Sequence, residues 1–132
     1  METIGGKRVE DVMDELCSPF YQSEVRQNVI GEKYLSADTI QRRLERVLGK
    51  YRWSFTMTGH YLKEIDHQLY SIGSGTVTIF TDEGKQISRS ASGCVELYGT
   101  PKQLFVNFDE YATAICDEIF VQACRKLGIG LM

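Results

Sequence analysis

Basic residues are concentrated in one part of this chain, where they could contact phosphate groups. Residues 25–53 contain seven Lys and Arg against three Asp and Glu, which gives this block a net charge of +4. The whole chain carries −3, so the remaining residues sum to −7. A cationic block in an acidic protein can direct a polyanion to one face. The pattern therefore indicates nucleic-acid binding, although the overall charge alone argues weakly against it.

Three arginines of this block fall on one predicted helix. At 100° per residue, Arg42, Arg43 and Arg46 are expected to project on the side opposite its apolar stripe. Such a cluster is most often a solvated helix face. Because only Glu45 lies nearby, we interpret it instead as a phosphate-facing surface. The same block supplies further basic candidates: Arg26, Lys50 and Arg52.

Aromatic residues follow the basic helix, and aromatic rings can stack on unpaired bases. Tyr51, Trp53 and Phe55 alternate with polar residues, which predicts a half-buried strand. Tyr61 follows a few residues later. Because the alternation places these rings on the buried side of the strand, most of them are predicted to pack in the core rather than against bases.

The sequence offers little for catalysis or metal binding. His60 and His67 flank Glu64 and Asp66, but a metal would need a third ligand on a rigid element, so a polar surface connection is the better interpretation. No nucleophile elbow, Walker loop or GxGxxG motif is present. We therefore predict no catalytic residues, no metal and no cofactor, and a protein that is not an enzyme.

Composition predicts one domain spanning residues 1–132, of ordinary globular character with 42% hydrophobic and 25% charged residues. No run approaches the roughly 20 apolar residues of a membrane span, and the first residues lack the apolar core of a secretion signal. The four cysteines form no CxxC pair. Reduced thiols, an intracellular location and no membrane partner are expected.

Three helices and three strands are predicted. Residues 9–16 form a short helix, residues 20–30 a brief strand or irregular segment, and the basic helix begins after Ser36 and ends at Gly49. The first strand covers residues 51–58, and residues 61–67 connect it to the next. The second strand covers residues 69–81, where Gly73 and Gly75 indicate a bulge or a close backbone approach. After a turn at residues 81–85, the third strand covers residues 86–98.

The final helix, residues 108–127, follows a loop at residues 99–107 and ends at Gly128. Its apolar residues spread around most of the cylinder, which is typical of a helix covered on more than one side, and another copy of the protein could be one cover. The predicted fold class is α+β, a three-stranded antiparallel meander packed against helices in a helix-β-β-β-helix core. The other sheet face carries Ser, Thr and Arg.

Three stretches of the chain together resemble the DNA-annealing domain of the Rad-fifty-two superfamily, which includes phage Sak-type annealases and bacterial relatives. They are Val25-Arg26-Gln27, the sequence IQRRLERVLGKYRW at residues 40–53, and a terminal helix with Ala112, Asp117, Ala123, Arg125, Leu127, Gly128 and Gly130. With the meander between them, the likeness covers roughly residues 9–130.

This resemblance implies a single-strand annealing protein of recombination or break repair that needs neither ATP nor metal. Its partners would be single-stranded DNA and further copies of itself, in a closed ring of about ten or eleven subunits. The strand would lie in a basic groove around the outside of the ring, with its bases facing outward. A recombinase partner is not identifiable.

By position, Arg26 resembles the groove arginine of the family, and Arg125 the arginine of its terminal helix. Lys126 is a weaker neighbour, and Lys102 corresponds loosely to a lysine of a second DNA site. Where relatives often have a Lys-Arg pair, this chain has Val121-Gln122, which should weaken binding and flatten its salt dependence. Other arginines could compensate for that loss: Arg42, Arg43, Arg46 or Arg89.

Two other functions fit the same element order. A double-stranded RNA-binding-like module also runs helix, three strands, helix, but its basic cluster opens the second helix, where this chain has Asp109 and Glu110. A small-molecule-binding α+β domain would need polar groups directed into the core, and none is evident.

Overall fold

The computed structural model describes residues 1–98 and 108–131 and has an α+β fold. The first half contains β1 (Thr3–Ile4), β2 (Lys7–Arg8), α1 (Val9–Leu16), a 3-10 turn (Gln22–Glu24), β3 (Arg26–Gln27), β4 (Lys33–Tyr34) and α2 (Ala37–Leu48). The second half contains β5 (Trp53–Ile65), β6 (Gln68–Phe80), β7 (Gln86–Leu97) and α3 (Phe108–Lys126). The predicted loop at residues 99–107 lies outside the described residues.

The main sheet is an antiparallel meander in the order β5-β6-β7, which confirms the predicted three-stranded sheet packed against helices. Along β6, every second residue is buried, from Ser71 through Val77 to Ile79. This alternation is typical of a sheet with one covered face. The core joins these residues to apolar side chains of all three helices, including Leu16, Ile40, Leu44, Ile115 and Ile119.

The opposite face of the sheet is polar, as predicted. Serine and threonine hydroxyls of neighbouring strands bond one another there, with oxygen–oxygen distances of 2.7 Å for Thr76–Ser90 and 3.0 Å for Thr78–Ser88. Such pairs are the usual side-chain links between facing strands. Arg89, however, belongs to the face on which the helices pack, because it is opposite the buried Val77 in the register. Its own side chain is exposed.

The boundaries of α2 follow the sequence signals closely. The hydroxyl of Ser36 accepts a hydrogen bond from the Thr39 amide at 3.3 Å, which is an N-cap. At the other end, Gly49 has a φ of +78°, a backbone conformation that favours glycine. Both predicted ends are confirmed.

The prediction that residues 61–67 form a connection is wrong for most of that segment. Strand β5 continues to Ile65, and the turn consists of Asp66 and His67 alone. Both have positive φ, 51° and 67°, which is the geometry of a two-residue hairpin turn that matches strand twist. Aspartate and histidine adopt positive φ more often than most residues but far less readily than glycine, so these residue types indicated the turn only weakly.

Two small hairpins precede α2. Strands β1 and β2 pair around Gly5-Gly6, and β3 pairs with β4 so that Arg26 lies opposite Tyr34 and Gln27 opposite Lys33. The first hairpin was not predicted, although a Gly-Gly pair between two short extended segments is a hairpin signal. The second contains β3, which confirms the brief strand or irregular segment expected within residues 20–30; its partner strand β4 was not predicted.

Helix α3 is covered within the chain on two sides. It packs against β6 and β7 of the sheet and also contacts α2. Its buried residues, such as Ile119, Phe120 and Cys124, face these elements, whereas Asp117 and Glu118 are exposed. These residues are therefore covered on two sides by the same chain, where a second copy of the protein was expected as one of the covers.

Glycines of β6 allow α3 to approach the sheet closely, as the sequence predicted for Gly73 and Gly75. A Cβ added at Gly75 would lie 2.9 Å from Cζ of Phe55 and 3.0 Å from Cγ2 of Ile119. Real Cβ atoms are essentially never found so near other heavy atoms, so any side chain here must displace the helix or the neighbouring strand.

We expect Gly75→Ala to lower the free energy of unfolding by about 1–3 kcal/mol, the usual cost of overpacking a core. Urea denaturation measures this. Gly59→Ala is the matched control, because its Cβ would meet the Ser74 hydroxyl at 3.2 Å, and that side chain can rotate away. Equal stability of the two variants would contradict the close packing of α3 on β6.

An acidic turn at residues 81–85 holds the first hairpin. The Asp82 carboxylate accepts hydrogen bonds from the amides of Gly5 and Gly6, both at 2.9 Å, and from the Thr3 hydroxyl at 2.8 Å. Glu83 also bonds the Thr3 amide. These bonds, the Gly6 amide first, lower the pKa of Asp82 from 3.8 to about 2.

Because the folded state favours the ionised form of Asp82, its stabilising contribution is complete above pH 3.8 and is lost as the pH falls towards 2. We expect Asp82→Asn to lower the melting temperature at pH 7 and to flatten the acid dependence in that window. Thermal unfolding from pH 7 down to pH 2 measures both effects. Glu10→Gln, which removes only an exposed ion pair with Arg8, should leave the acid profile unchanged.

Candidate nucleic-acid interface

The hairpin of β3 and β4 carries two exposed cations. Arg26 lies on the first strand and Lys33 on the second. Among the described residues, neither has a carboxylate within 4.0 Å. Beside Lys33 is an open cleft of about 580 Å³, and its lining combines apolar, amide and basic side chains: Phe20, Gln22, Val25, Gln27 and Lys33. Lys33 belongs to the basic block but was not singled out from the sequence.

Helix α2 presents two of its three arginines to solvent. Arg42 and Arg46 are exposed and lie opposite the buried Ile40 and Leu44, as predicted. Arg42 Nη2 donates to the Thr39 hydroxyl at 3.3 Å, and within residues 1–98 and 108–131 neither guanidinium forms an ion pair. Lys50, just past the helix end, is likewise exposed and unpaired there. These cations are placed where they could contact phosphate.

The prediction that Arg43 projects from the same face is wrong. Its side chain is only 4% exposed and lies against the end of α1. One nitrogen, Nη1, donates to the carbonyl of Leu16 at 3.1 Å and that of Ser18 at 2.7 Å, and Nη2 donates to the Pro19 carbonyl at 3.3 Å. The guanidinium carbon also lies 3.8 Å from the centre of the Phe20 ring, a cation–π contact.

This arrangement ties Arg43 of α2 to the last carbonyl of α1 and to the two residues that follow its C-cap, Cys17. The last carbonyls of a helix have no partner within the helix, and a cation is favoured there by the macrodipole. Burial, followed by the nearby Arg46, lowers the pKa of Arg43, but an arginine remains charged at neutral pH. With its donors directed into the protein, Arg43 is not available for phosphate.

Arg52 is also engaged within the chain. Its Nε lies 3.7 Å from the Asp82 carboxylate, and its Nη1 donates to the Leu48 carbonyl at 3.4 Å. The guanidinium passes beside Gly5. Arg52 thus joins the end of α2 to the acidic turn and the first hairpin. Among the described residues of the basic block, it is the predicted phosphate contact that pairs with a carboxylate.

A second group of cations lies where α3 ends beside β7. Lys126 Nζ donates to the Ser90 carbonyl at 2.7 Å, and Arg89 Nη1 donates to the Ser88 carbonyl at the same distance. Arg125 precedes Lys126 in the last turn and is exposed. No carboxylate of the described residues pairs with any of the three. Lys102 lies outside the described residues.

The predicted aromatic residues divide into two pairs. Trp53 and Phe55 pack against Phe120, with ring centres 6.0 Å and 5.3 Å apart, which confirms that they belong to the core side of the strand. Tyr51 and Tyr61 are 93% and 56% exposed. Of the four aromatic residues singled out from the sequence, Tyr51 and Tyr61 are therefore the two that could stack on a base without rearrangement of the core.

The two histidines singled out from the sequence lie on the hairpin of β5 and β6, His60 on the strand and His67 in the turn. His60 Nε2 lies 2.7 Å from the Ser71 hydroxyl, whereas His67 Nδ1 lies 3.9 Å from Glu64. Within the described ranges, no three His, Cys, Asp or Glu side chains are grouped so that they could hold a metal ion. The four cysteines are unpaired, and burial raises the pKa of Cys124 to about 12, so this thiol is a poor nucleophile.

No described helix combines the length and apolar character that a membrane crossing requires. No protein-family model matches this chain, and no curated protein matches it at a significant level of sequence similarity.

Proposed function

We propose that this protein binds single-stranded DNA and anneals complementary strands, without ATP or a metal ion. The observation that carries the proposal is the set of exposed cations that, among the described residues, have no carboxylate partner: Arg26, Lys33, Arg42, Arg46, Lys50, Lys63, Arg89, Arg125 and Lys126. In contrast, Lys7, Arg8 and Lys85, which lie outside the basic block, pair with Glu15, Glu10 and Glu2.

The presence of many exposed cations without a carboxylate partner favours a polyanionic ligand. In a chain with a net charge of −3, carboxylates are numerous enough to pair with every cation, yet within residues 1–98 and 108–131 this set is exposed and free of ion pairs. Phosphate groups would neutralise these side chains and release counterions from the nucleic acid, the main source of its affinity for proteins. Neutralised phosphates on one strand also reduce its repulsion of a complementary strand, which is what annealing without nucleotide hydrolysis requires.

The resemblance to the Rad-fifty-two superfamily supports the same proposal from the sequence side. It matches Arg26 before α2 and Arg125 at the end of α3 to DNA-contacting positions. We propose, on this basis, a closed ring of about ten or eleven subunits acting in recombination or break repair inside a bacterial or phage-infected cell. The sheet edges on β5 and β7 and the exposed part of α3 are the surfaces available for subunit contacts.

Two measurements on the purified chain test the proposal. Native mass spectrometry gives the number of subunits per particle, and a strand-annealing assay with EDTA and without nucleotide gives the activity. We expect a multi-subunit particle that accelerates annealing of complementary oligonucleotides. A monomer with a preference for duplex RNA would favour the double-stranded RNA-binding alternative, against which the exposed Asp109 and Glu110 in the first turn of α3 argue. A monomer indifferent to nucleic acid at low salt would overturn the proposal.

A further inference from the structure

The hairpin of β3 and β4 ends in two apolar side chains that point into solvent. Val29 is 103% exposed and Ile30 is 74% exposed. Each forgoes the roughly 1.5–3 kcal/mol that full burial of such a side chain would contribute. An adjacent pair of them at the tip of a protruding element is typical of a surface that meets a partner.

The turn that carries this pair is ordered by its own hydrogen bonds. The Asn28 side-chain oxygen accepts from the amides of Ile30 at 3.1 Å and Glu32 at 2.9 Å. The Asn28 amide donates to the Glu32 carbonyl, and the Gly31 amide donates to the Asn28 carbonyl, both at 3.0 Å. Gly31 has a φ of +85°, which favours glycine. These bonds give the turn that carries Val29 and Ile30 a defined conformation.

Cations lie on both faces of the same hairpin. Residues opposite each other in an antiparallel pair share a face, and neighbours along a strand lie on opposite faces. Arg26 pairs with Tyr34, and Gln27 pairs with Lys33, so Arg26 and Lys33 lie on opposite faces. The apolar tip thus has one unpaired cation at each side of its base.

We propose that Val29 and Ile30 insert between two neighbouring bases of a bound single strand, while Arg26 and Lys33 contact the phosphates on either side of the insertion. A single strand offers this combination at every nucleotide step, since flat apolar base faces alternate with phosphates. Unstacking an unpaired step is less costly than opening a duplex, and apolar wedges are an established way to separate bases. This inference rests on the proposed function.

The test uses the full chain and an oligonucleotide that contains 2-aminopurine, whose fluorescence rises when it is unstacked. We expect the wild-type protein to bind and raise the fluorescence. Val29→Ser with Ile30→Ser should lower the affinity by about tenfold and abolish the rise, while the dependence of affinity on salt stays unchanged because the cations remain. The serines leave the backbone bonds of Asn28 in place, so the hairpin should fold.

Arg26→Ala is the matched control. It should reduce the slope of log affinity against log salt by about 0.7 and leave the fluorescence rise intact. Unchanged affinity and fluorescence in the double serine variant would overturn the insertion alone. A smaller particle mass for that variant would also overturn it, because the tip would then contact a second copy. Failure of the wild-type protein to bind at low salt would overturn the proposed function as well.

Discussion

Replacing Arg43 by alanine is expected to lower the free energy of unfolding by about 2–4 kcal/mol. The change removes donors from the Leu16, Ser18 and Pro19 carbonyls and leaves space beside the Phe20 ring. Hydrogen bonds to a charged group contribute about 1.5–3 kcal/mol, and a buried acceptor without a partner adds its own cost. Urea or thermal denaturation followed by circular dichroism measures the loss.

Two further substitutions make this result specific. Arg43→Lys should be intermediate, because one ammonium cannot replace the planar fork of an arginine over several carbonyls. Arg46→Ala, an exposed position on the same helix, should change the stability by less than about 0.5 kcal/mol. If the alanine variants at the two positions were equally stable, the bonds of Arg43 to the end of α1 would not contribute to stability.

Reversing the exposed charges of α2 is expected to weaken single-strand binding by about tenfold or more at low salt. In the variant Arg42→Glu with Arg46→Glu, two candidate phosphate contacts become repulsive. The slope of log affinity against log salt should fall by about 1.4, which is about 0.7 for each contact. Fluorescence anisotropy with a labelled oligonucleotide at several salt concentrations gives both quantities.

The control has to reproduce the change in net charge. Lys7→Glu with Arg8→Glu does so on the first hairpin, where both cations are already paired with carboxylates. We expect its salt slope to match the wild-type value. An equal loss of affinity in both double variants would attribute the effect to the charge of the whole molecule and remove the α2 face from the binding site.

Local signals predicted the elements whose boundaries depend on local chemistry. Ser36 and Gly49 determine the ends of α2 through a side-chain hydrogen bond and a backbone with positive φ, and both effects can be predicted from residue type. Gly73 and Gly75 likewise indicated that another element approaches the backbone of the strand closely, because glycine weakens a strand and is usually found there where a side chain would not fit. The turn at Asp66 and His67 was not predicted, because aspartate and histidine favour positive φ far less strongly than glycine does.

The candidate site was less predictable, because it depends on tertiary neighbours. Arg43 lies about 60° around the helix from Ile40, at the border of the buried stripe, and its direction is decided by the carbonyls at the end of α1. Arg52 is held by Asp82, thirty positions away in the sequence. Neither partner could be identified from residue type alone, whereas the exposed positions of Arg42 and Arg46 followed from helical periodicity.

The glycine-lined surface of the sheet also determines how precisely α3 can present its last turn. Gly73, Gly75 and Gly93 leave room for Ile115 and Ile119 of α3, so a slide or rotation of the helix would drive these side chains into the backbone of the strands. Arg125 and Lys126 are consequently carried at a constant distance from the border of β7. Binding of a ligand to these two residues would therefore order little of the protein backbone. Substitutions beneath the helix, which would shift it, would alter the affinity although they do not contact the ligand.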